Sequence, residues 1–283
     1  MSPTKYADVG KCLKKRPKPA HKGQNGKVLV VGGSEDYVGA AALAGNAALA
    51  ALRGGVDLVT VAAPEKVAWS VNRMSPDLIT KKFLGKVFGE RHVKDVLKLS
   101  KGFDAVLIGP GIGLSAGTRK FVRAVVKGVK VPVVVDADAI KAVKGMRFNG
   151  QVLLTPHAKE FETCFGKTVS PSLKGNVELV KKTSKGKNCV ILLKGMADIV
   201  SDGKKVKVNR TGNEGMSVGG TGDVLAGICT GFVALGNNLF DSACAAAYAN
   251  GKAGDILLRK KGYGFLASEL LLELPKVIFA KKG

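Results

Sequence analysis

The stretch GMSVGGTGDVLAGICTGF, residues 215–232, sets glycines and one aspartate directly before an apolar run, and its reading decides the fold. Gly219, Gly220, Thr221 and Gly222 have almost nothing to bury, and glycine loses more backbone freedom on folding than any other residue. From Val224 onward the apolar residues Val224, Leu225, Ile228, Cys229, Phe232 and Val233 recur at helical spacing. The glycines therefore lie at a helix N-terminus, where unpaired N–H groups and the positive end of the helix dipole favour an anion. Asp223 stands at the same point. Two roles fit it: a cap on the helix, or a general base beside a phosphate. A GGxG turn before a helix is in many proteins only a tight turn, so the anion reading needs support from the rest of the chain.

Outward from this stretch, short β-branched runs alternate with helical ones. KVLVVGG (27–33) reads as a strand entering glycine, and an Ala-rich helix over 40–55 follows, stopped by Gly54 and Gly55. Further strands are DLVTVAA (57–63), the start of DAVLIGPGIG (104–113) before its Gly-rich turn, and CVILLKG (189–195), while VPVVVDADA (131–139) and QVLLTPHAKE (151–160) each lead from strand to helix. A helix is expected near 116–127, a hairpin over 198–209 turning at Asp202–Gly203, and mostly helix from 222 to 274. Continuous Val/Ile/Leu strands imply burial on both faces, hence a mostly parallel sheet between helical layers, a three-layer α/β/α sandwich. Ligands of such folds bind at the carboxyl ends of the strands. There this sequence places Gly32–Gly33, the glycines of 109–113, Asp136, Asp138, residues 155–157 and Lys194–Gly195.

The 283 residues, 46% hydrophobic, suffice for one large α/β domain, expected over 26–283, preceded by a loosely attached basic arm over 1–25. The N-terminus shows no signal-peptide core and no run reaches membrane-span length, so a cytoplasmic protein is expected. Five scattered cysteines with no CxxC fit reduced thiols, and the three histidines form no metal cluster with them. The net charge of +23 favours anionic partners or reflects a lysine-rich solvated surface. The lysines are spread out and aromatics are only 6%, which argues against specific nucleic-acid binding.

Two nucleotide motifs can be weighed. A Walker A loop is absent, because GKT at 166–168 has Phe161 where the first glycine belongs. Gly111-Ile-Gly113-Leu-Ser-Ala116 fits the Rossmann fingerprint, with Asp136 ending the next strand. Yet it lies mid-chain, Pro110 stiffens its turn, and it leaves the glycines of 219–222 unexplained.

The larger set of motifs carries a resemblance. GSEDYVGAAALA, IGPGIG, VVDADAI, LLTPHAKEF, LLKGMADIV and GNEGMSVGGTGDVLAG follow one another in that order. GGTGD resembles the anion-hole signature of the ribokinase-like superfamily. The whole set, from about residue 22 to 275, resembles the NAD(P)H-hydrate dehydratases, which repair nicotinamide nucleotides. The resemblance implies a ribokinase-like fold and an ADP- or ATP-dependent dehydration of hydrated NADH or NADPH, with Mg²⁺. It implies phosphorylation of the C6 hydroxyl followed by loss of phosphate. The pattern is similar to prokaryotic members, which implies ADP as donor; the residues themselves do not separate ADP from ATP. It also implies a homo-oligomer and a functional link to an epimerase, whose domain this chain is expected not to carry. Two departures are Glu214, where the family often has Pro, and Ser217–Val218, where Ala-Thr or Ala-Ser is common.

The resemblance also implies roles. Asp223 would be the base, with Gly220, Thr221 and Gly222 as the anion hole. Lys194, Gly195, Met196, Ala197 and Asp198, with Gly222, would hold the adenosine nucleotide. Lys194 would contact phosphate, with a solvated strand-end lysine as the alternative. Gly39, Ala40, Gly111, Gly113, His157 and Asp223 would meet the hydrated dinucleotide, although Gly39 and Ala40 also fit plain helix packing. Glu160 fits either Mg²⁺ support through water or a helix cap. Two other classes compete: a ribokinase-type small-molecule kinase (thiazole or pyridoxal), which would release the phosphorylated alcohol, and a non-catalytic basic nucleotide- or RNA-binding protein, which would not need Asp223.

Overall fold

The structure, a computed structural model, describes residues 2–13, 18, 19, 21, 25–51 and 57–280. Its centre is a 10-stranded sheet. In chain order the strands are β1 (Ser2–Pro3), β2 (Lys27–Val31), β3 (Leu58–Pro64), β4 (Ile79–Phe83), β5 (Ala105–Ile108), β6 (Val133–Val135), β7 (Val152–Leu154), β8 (Val190–Leu193), β9 (Asp198–Ser201) and β10 (Val206–Asn209). In space they run β1-β10-β9-β8-β7-β6-β5-β2-β3-β4. From β4 to β8 across the sheet all pairings are parallel, β8–β9 and β9–β10 are antiparallel, and β1 adds in parallel to β10.

Two cores explain why the strands are apolar throughout. Val28 and Val30 of β2 feed one core, and Leu29 and Val31 feed the other. The first core is closed by α1 (Tyr6–Cys12), α2 (Val38–Ala51), α3 (Glu65–Met74), α9 (Thr221–Ala234), α10 (Leu239–Lys261) and α11 (Ala267–Ile278). The second lies under α4 (Val93–Ser100), α5 (Ala116–Gly128), α6 (Asp138–Ala142), α7 (Ala158–Phe165) and α8 (Leu173–Lys187). The expected three-layer sandwich is therefore present. Gly54 and Gly55, expected to stop α2, lie outside the described residues.

Strand order reverses between β2 and β5, since the chain leaves β2 toward β3 and β4 and returns on the other side. Such a switch point opens a crevice at the strands' carboxyl ends. Here the ends touch: Gly33 N donates to Pro110 O at 2.8 Å, and a Cβ on Gly32 would lie 2.4 Å from that oxygen. Across the first core α9 presses on α2 so closely that a Cβ on Gly227 would sit 2.2 Å from Ala44 O.

One expectation is corrected. Residues 2–12 are not a loose arm. Ser2 and Pro3 pair with Lys207 and Val208, Asp8 bonds Lys207, and Val9 and Cys12 are buried in the first core. Backbone pairing and apolar burial tie this segment down, despite the basic residues that follow it. Residues 14–17, 20 and 22–24 of the expected arm lie outside the described residues.

Candidate active site

The glycine run enters α9 through Gly220, whose φ is +97° and whose Cβ, if present, would lie 2.6 Å from Leu43 Cδ2. Only glycine fits that backbone without strain. Thr221 Oγ1 closes the loop by donating to Met216 O at 2.8 Å and lies 3.2 Å from Val218 O. The first bond of the helical ladder here is Val224 N to Gly220 O, 3.0 Å. The N–H groups of 220–223 therefore precede the ladder and face the crevice end of the helix. Asp223, at the third helical position, does not fold back as the cap. Burial pushes its carboxyl up to about 7, with Asp136 and Glu160 adding and Lys194 opposing.

Beneath it lies a charged cluster drawn from separate strand ends. Lys194 Nζ is 3.1 Å from Asp136 Oδ1 and 3.9 Å from Glu160 Oε2. Asp136, only 2% exposed, also accepts from Thr155 Oγ1 at 2.6 Å. Burial alone would lower the Lys194 ammonium; Asp136, Glu160 and Asp223 outweigh it and hold it above its ordinary value. A Cβ on Gly222 would lie 3.2 Å from Lys194 Nζ, so the ammonium sits directly beside the backbone of the glycine run. Lys194 is thus not a solvated strand-end lysine. Asp136 points at this lysine rather than into an open ribose site, which removes the Rossmann reading of residues 111–136.

A cavity of about 640 Å³ runs from Lys194 and Gly222 past residues 195–198 to residues 211–218 and Asn250. Its floor loop is pinned by Asp198, which accepts from Gly195 N at 3.1 Å and from Asn209 Nδ2 at 3.0 Å. Burial raises the Asp198 carboxyl to about 6, opposed by Asn209, Gly195 and Lys194. Met196 projects wholly exposed at the rim, and Ala197 packs on the second core. The opposite wall is held by Asp255, which accepts from Gly212 N at 3.2 Å and Asn213 Nδ2 at 3.3 Å.

On the other side of Asp223 the loop before α2 meets the loop after β5. A Cβ on Gly111 (φ +64°) would lie 2.5 Å from Tyr37 O and 3.2 Å from Ala40 Cβ. Gly111 is required by this contact between loops, a packing reason distinct from the expected approach of a ligand. Gly39 and Gly113 have open space where a Cβ would stand. Tyr37 is 60% exposed above them.

His157 caps α7: its Nδ1 accepts from Lys159 N at 3.1 Å and Glu160 N at 3.3 Å. Burial first, then Lys194, lowers its pKa, so the ring is neutral with its proton on Nε2. Glu160 completes the capping box by accepting from His157 N at 2.9 Å. It is 6% exposed, and burial raises its carboxyl, with Lys194 opposing. The described residues hold no group of three or more His, Cys, Asp or Glu able to cage a metal. All five cysteines are buried and free, and burial pushes Cys12 and Cys189 up to about 12. His92 is buried against Phe83 and Phe88. The sequence reading passed over Asn209, Thr211, Asn250 and Asp255. They are polar residues inside otherwise ordinary strand and helix text, and no spacing rule marks them.

A hydroxyl proton has a carboxyl near pKa 7 to go to, and a phosphoryl group has open amides to rest on; the fold around them is ribokinase-like. The chain belongs to the NAD(P)H-hydrate dehydratase family, whose model matches residues 28–276. It is 42% identical over 259 residues to the bifunctional NAD(P)H-hydrate repair enzyme of Pyrobaculum aerophilum, covering 91% of this chain and 51% of that one. The chain thus spans about half the length of the bifunctional relatives it matches. It is 35% identical over 274 residues to the ADP-dependent (S)-NAD(P)H-hydrate dehydratase of Cenarchaeum symbiosum, covering 96% and 94%. The crystal structure of the ADP/ATP-dependent NAD(P)H-hydrate dehydratase of Bacillus subtilis, co-crystallised with ATP/Mg²⁺, superposes with a TM-score of 0.82 at 26% identity, covering 98% and 97%.

Proposed function

We propose that this protein dehydrates the S epimer of hydrated NADH or NADPH, using ADP as phosphoryl donor and releasing the restored dinucleotide, AMP and phosphate. The observation that carries the reading is Asp223, a carboxyl with a pKa of about 7 at the mouth of an anion hole. Hydroxide is a poor leaving group and phosphate a good one. Asp223 takes the proton of the C6 hydroxyl as its oxygen attacks the terminal phosphorus of ADP. The P–O bond to AMP breaks, while the amides of Gly220, Thr221 and Gly222 and the Lys194 ammonium stabilise charge on the transferred group. The ring nitrogen then pushes its electron pair toward C6, the C6–O bond breaks, and phosphate leaves. Loss of the C5 proton restores the double bond.

Residues 194–198 take the adenosine nucleotide, and Gly39, Ala40, Gly111, Gly113 and the Nε2–H of His157 take the dinucleotide. Mg²⁺ fits as an ion carried on the nucleotide's phosphates, since among the described residues no three His, Cys, Asp or Glu stand together to cage it. Glu160 would reach it only through water. When bound, the ion neutralises phosphate charge. No helix among the described residues is long and apolar enough to cross a membrane, which is compatible with a cytoplasmic enzyme. We infer a homo-oligomer, supported by exposed Trp69, Ile79 and Leu84 around the open edge at β4. Cooperation with an epimerase would supply the S form from the R form.

Product analysis separates this reading from a kinase of the same fold. Phosphorus NMR of a reaction with hydrated NADH, ADP and Mg²⁺ should show AMP and inorganic phosphate. Accumulation of a stable phosphorylated alcohol would make the protein a kinase instead, and binding without any phosphorus product would make it a non-catalytic nucleotide-binding protein.

A further inference from the structure

Asn209 ends β10 and is 1% exposed. Its amide joins two segments that line the nucleotide cavity. Nδ2 donates to Asp198 Oδ2 at 3.0 Å, and so holds the carboxylate that pins Gly195 N. The same nitrogen meets Thr211 O and Ala247 O, each at 3.2 Å. Oδ1 accepts from Thr211 Oγ1 at 2.9 Å. Asp198 and Thr211 both line the cavity.

One further hydroxyl reaches this amide from far away in the chain. Thr4 Oγ1, in a residue 8% exposed, donates to Asn209 Oδ1 at 2.7 Å. Thr4 N donates to Val208 O at 3.0 Å, and the pairing of Ser2–Pro3 with Lys207–Val208 holds the segment in register. Asp8 of α1 accepts from Lys5 N at 2.9 Å and bonds Lys207 of β10. Asn237 Nδ2 donates to Cys12 O at 2.9 Å and fixes the far end of α1. Asp198 Oδ2, Thr211 O and Ala247 O can only accept, so they set Nδ2 toward themselves and leave Oδ1 to receive the hydroxyls of Thr4 and Thr211.

We propose that Thr4 is a positioning residue for the donor nucleotide: it fixes the Asn209 amide, which holds Asp198 and Thr211 at the spacing a nucleoside diphosphate needs. The inference rests on the reading of residues 194–198 as the donor site. Thr4 touches no substrate. Its removal acts on capture of the donor and leaves Asp223, the anion hole and the dinucleotide side as they are.

Thr4→Val keeps the shape and removes the hydroxyl. Losing one hydrogen bond of ordinary strength corresponds to about three- to tenfold in KM for ADP. The expected result is that rise, with kcat and the KM for hydrated NADH within about twofold of the parent. Thr4→Ser, which keeps the hydroxyl, should restore the parent KM. An unchanged KM for ADP in Thr4→Val, with only a lowered Tm, would overturn the proposal and leave Thr4 as a packing residue. Equal losses in Thr4→Val and Thr4→Ser would do the same. Asp198→Asn serves as the reference. If it raises the KM for ADP while Thr4→Val does not, only the positioning role fails. If it leaves the KM for ADP unchanged, the donor-site reading itself fails.

Discussion

Asp223 is costly where it stands. Its carboxyl ionises in the unfolded chain near the ordinary aspartate value and in the folded protein near 7. Between those values the unfolded state binds fewer protons than the native one, so stability declines as pH rises through this window and stays lower above it. Asp223→Asn removes that penalty at a helix position whose side chain makes no cap bond, so the helix start is left as it is. We expect Tm at pH 8 to rise by about 2–4 °C, equivalent to about 1 kcal/mol, and to change little at pH 4. Turnover should fall by about 100-fold or more, because an amide takes no proton. In the parent protein kcat should rise with pH along a limb centred near 7, as the base ionises. A retained kcat in a well-folded Asp223→Asn protein would send the search for the base elsewhere. Gly222→Val tests the phosphoryl side of the same step. Its Cβ would stand 3.2 Å from Lys194 Nζ with two methyls beyond it, filling the place of the transferred phosphoryl group. Loss of turnover by about 100-fold or more, with the fold intact by circular dichroism, is expected.

At the scale of elements, the site depends on one helix held at close range by another. α9 carries the anion hole, and Gly227 lets it rest on the backbone of α2, which carries Gly39 and Ala40. Gly227→Val would force the helices apart and should cost at least about 3 kcal/mol, read as a drop in Tm of roughly 6 °C or more. Weakened ADP binding at temperatures well below that Tm should accompany it. This crossing also shows how far the sequence could be read. The buried strands β2, β3, β5, β6, β7 and β8 announce themselves as unbroken apolar runs. So does the hairpin of β9 and β10, turning where Asp202–Gly203 stand. β4, ITKKF, does not, because this edge strand buries only Phe83, and its Thr80, Lys81 and Lys82 break the apolar signal. α8, LKGNVELVKKTSKGK, is polar over most of its surface, and its two interior glycines and its threonine mask a helix that buries Asn176, Val177, Val180, Thr183 and Ser184 and packs Leu173 and Leu179 on the second core. Of the site, the glycine run, Asp223, Lys194 and His157 were legible through their position at strand and helix ends. Asn209 and Thr4 were not. Their significance comes from a contact across 205 positions in the chain, which no local pattern carries.

The whole molecule carries a net charge of +23, and the substrates proposed for it are anions. That field assists encounter without building the site, whose charges are buried and matched: Lys194 against Asp136 and Glu160. Raising salt should therefore lower kcat/KM for both nucleotides several-fold between low and physiological ionic strength, and leave kcat within about twofold. A fall in kcat with no change in kcat/KM would contradict this division. The central claim is that this fold reverses the hydration of a nicotinamide ring at the expense of a phosphate bond, and one measurement meets it directly. The purified protein is incubated with the S epimer of hydrated NADH, Mg²⁺ and ADP, and the absorbance of reduced nicotinamide is followed. The account predicts absorbance that returns in proportion to the phosphate released, requires ADP or ATP, and is lost in Asp223→Asn. Phosphate released without any return of reduced nicotinamide, or no reaction with either nucleotide, would contradict it.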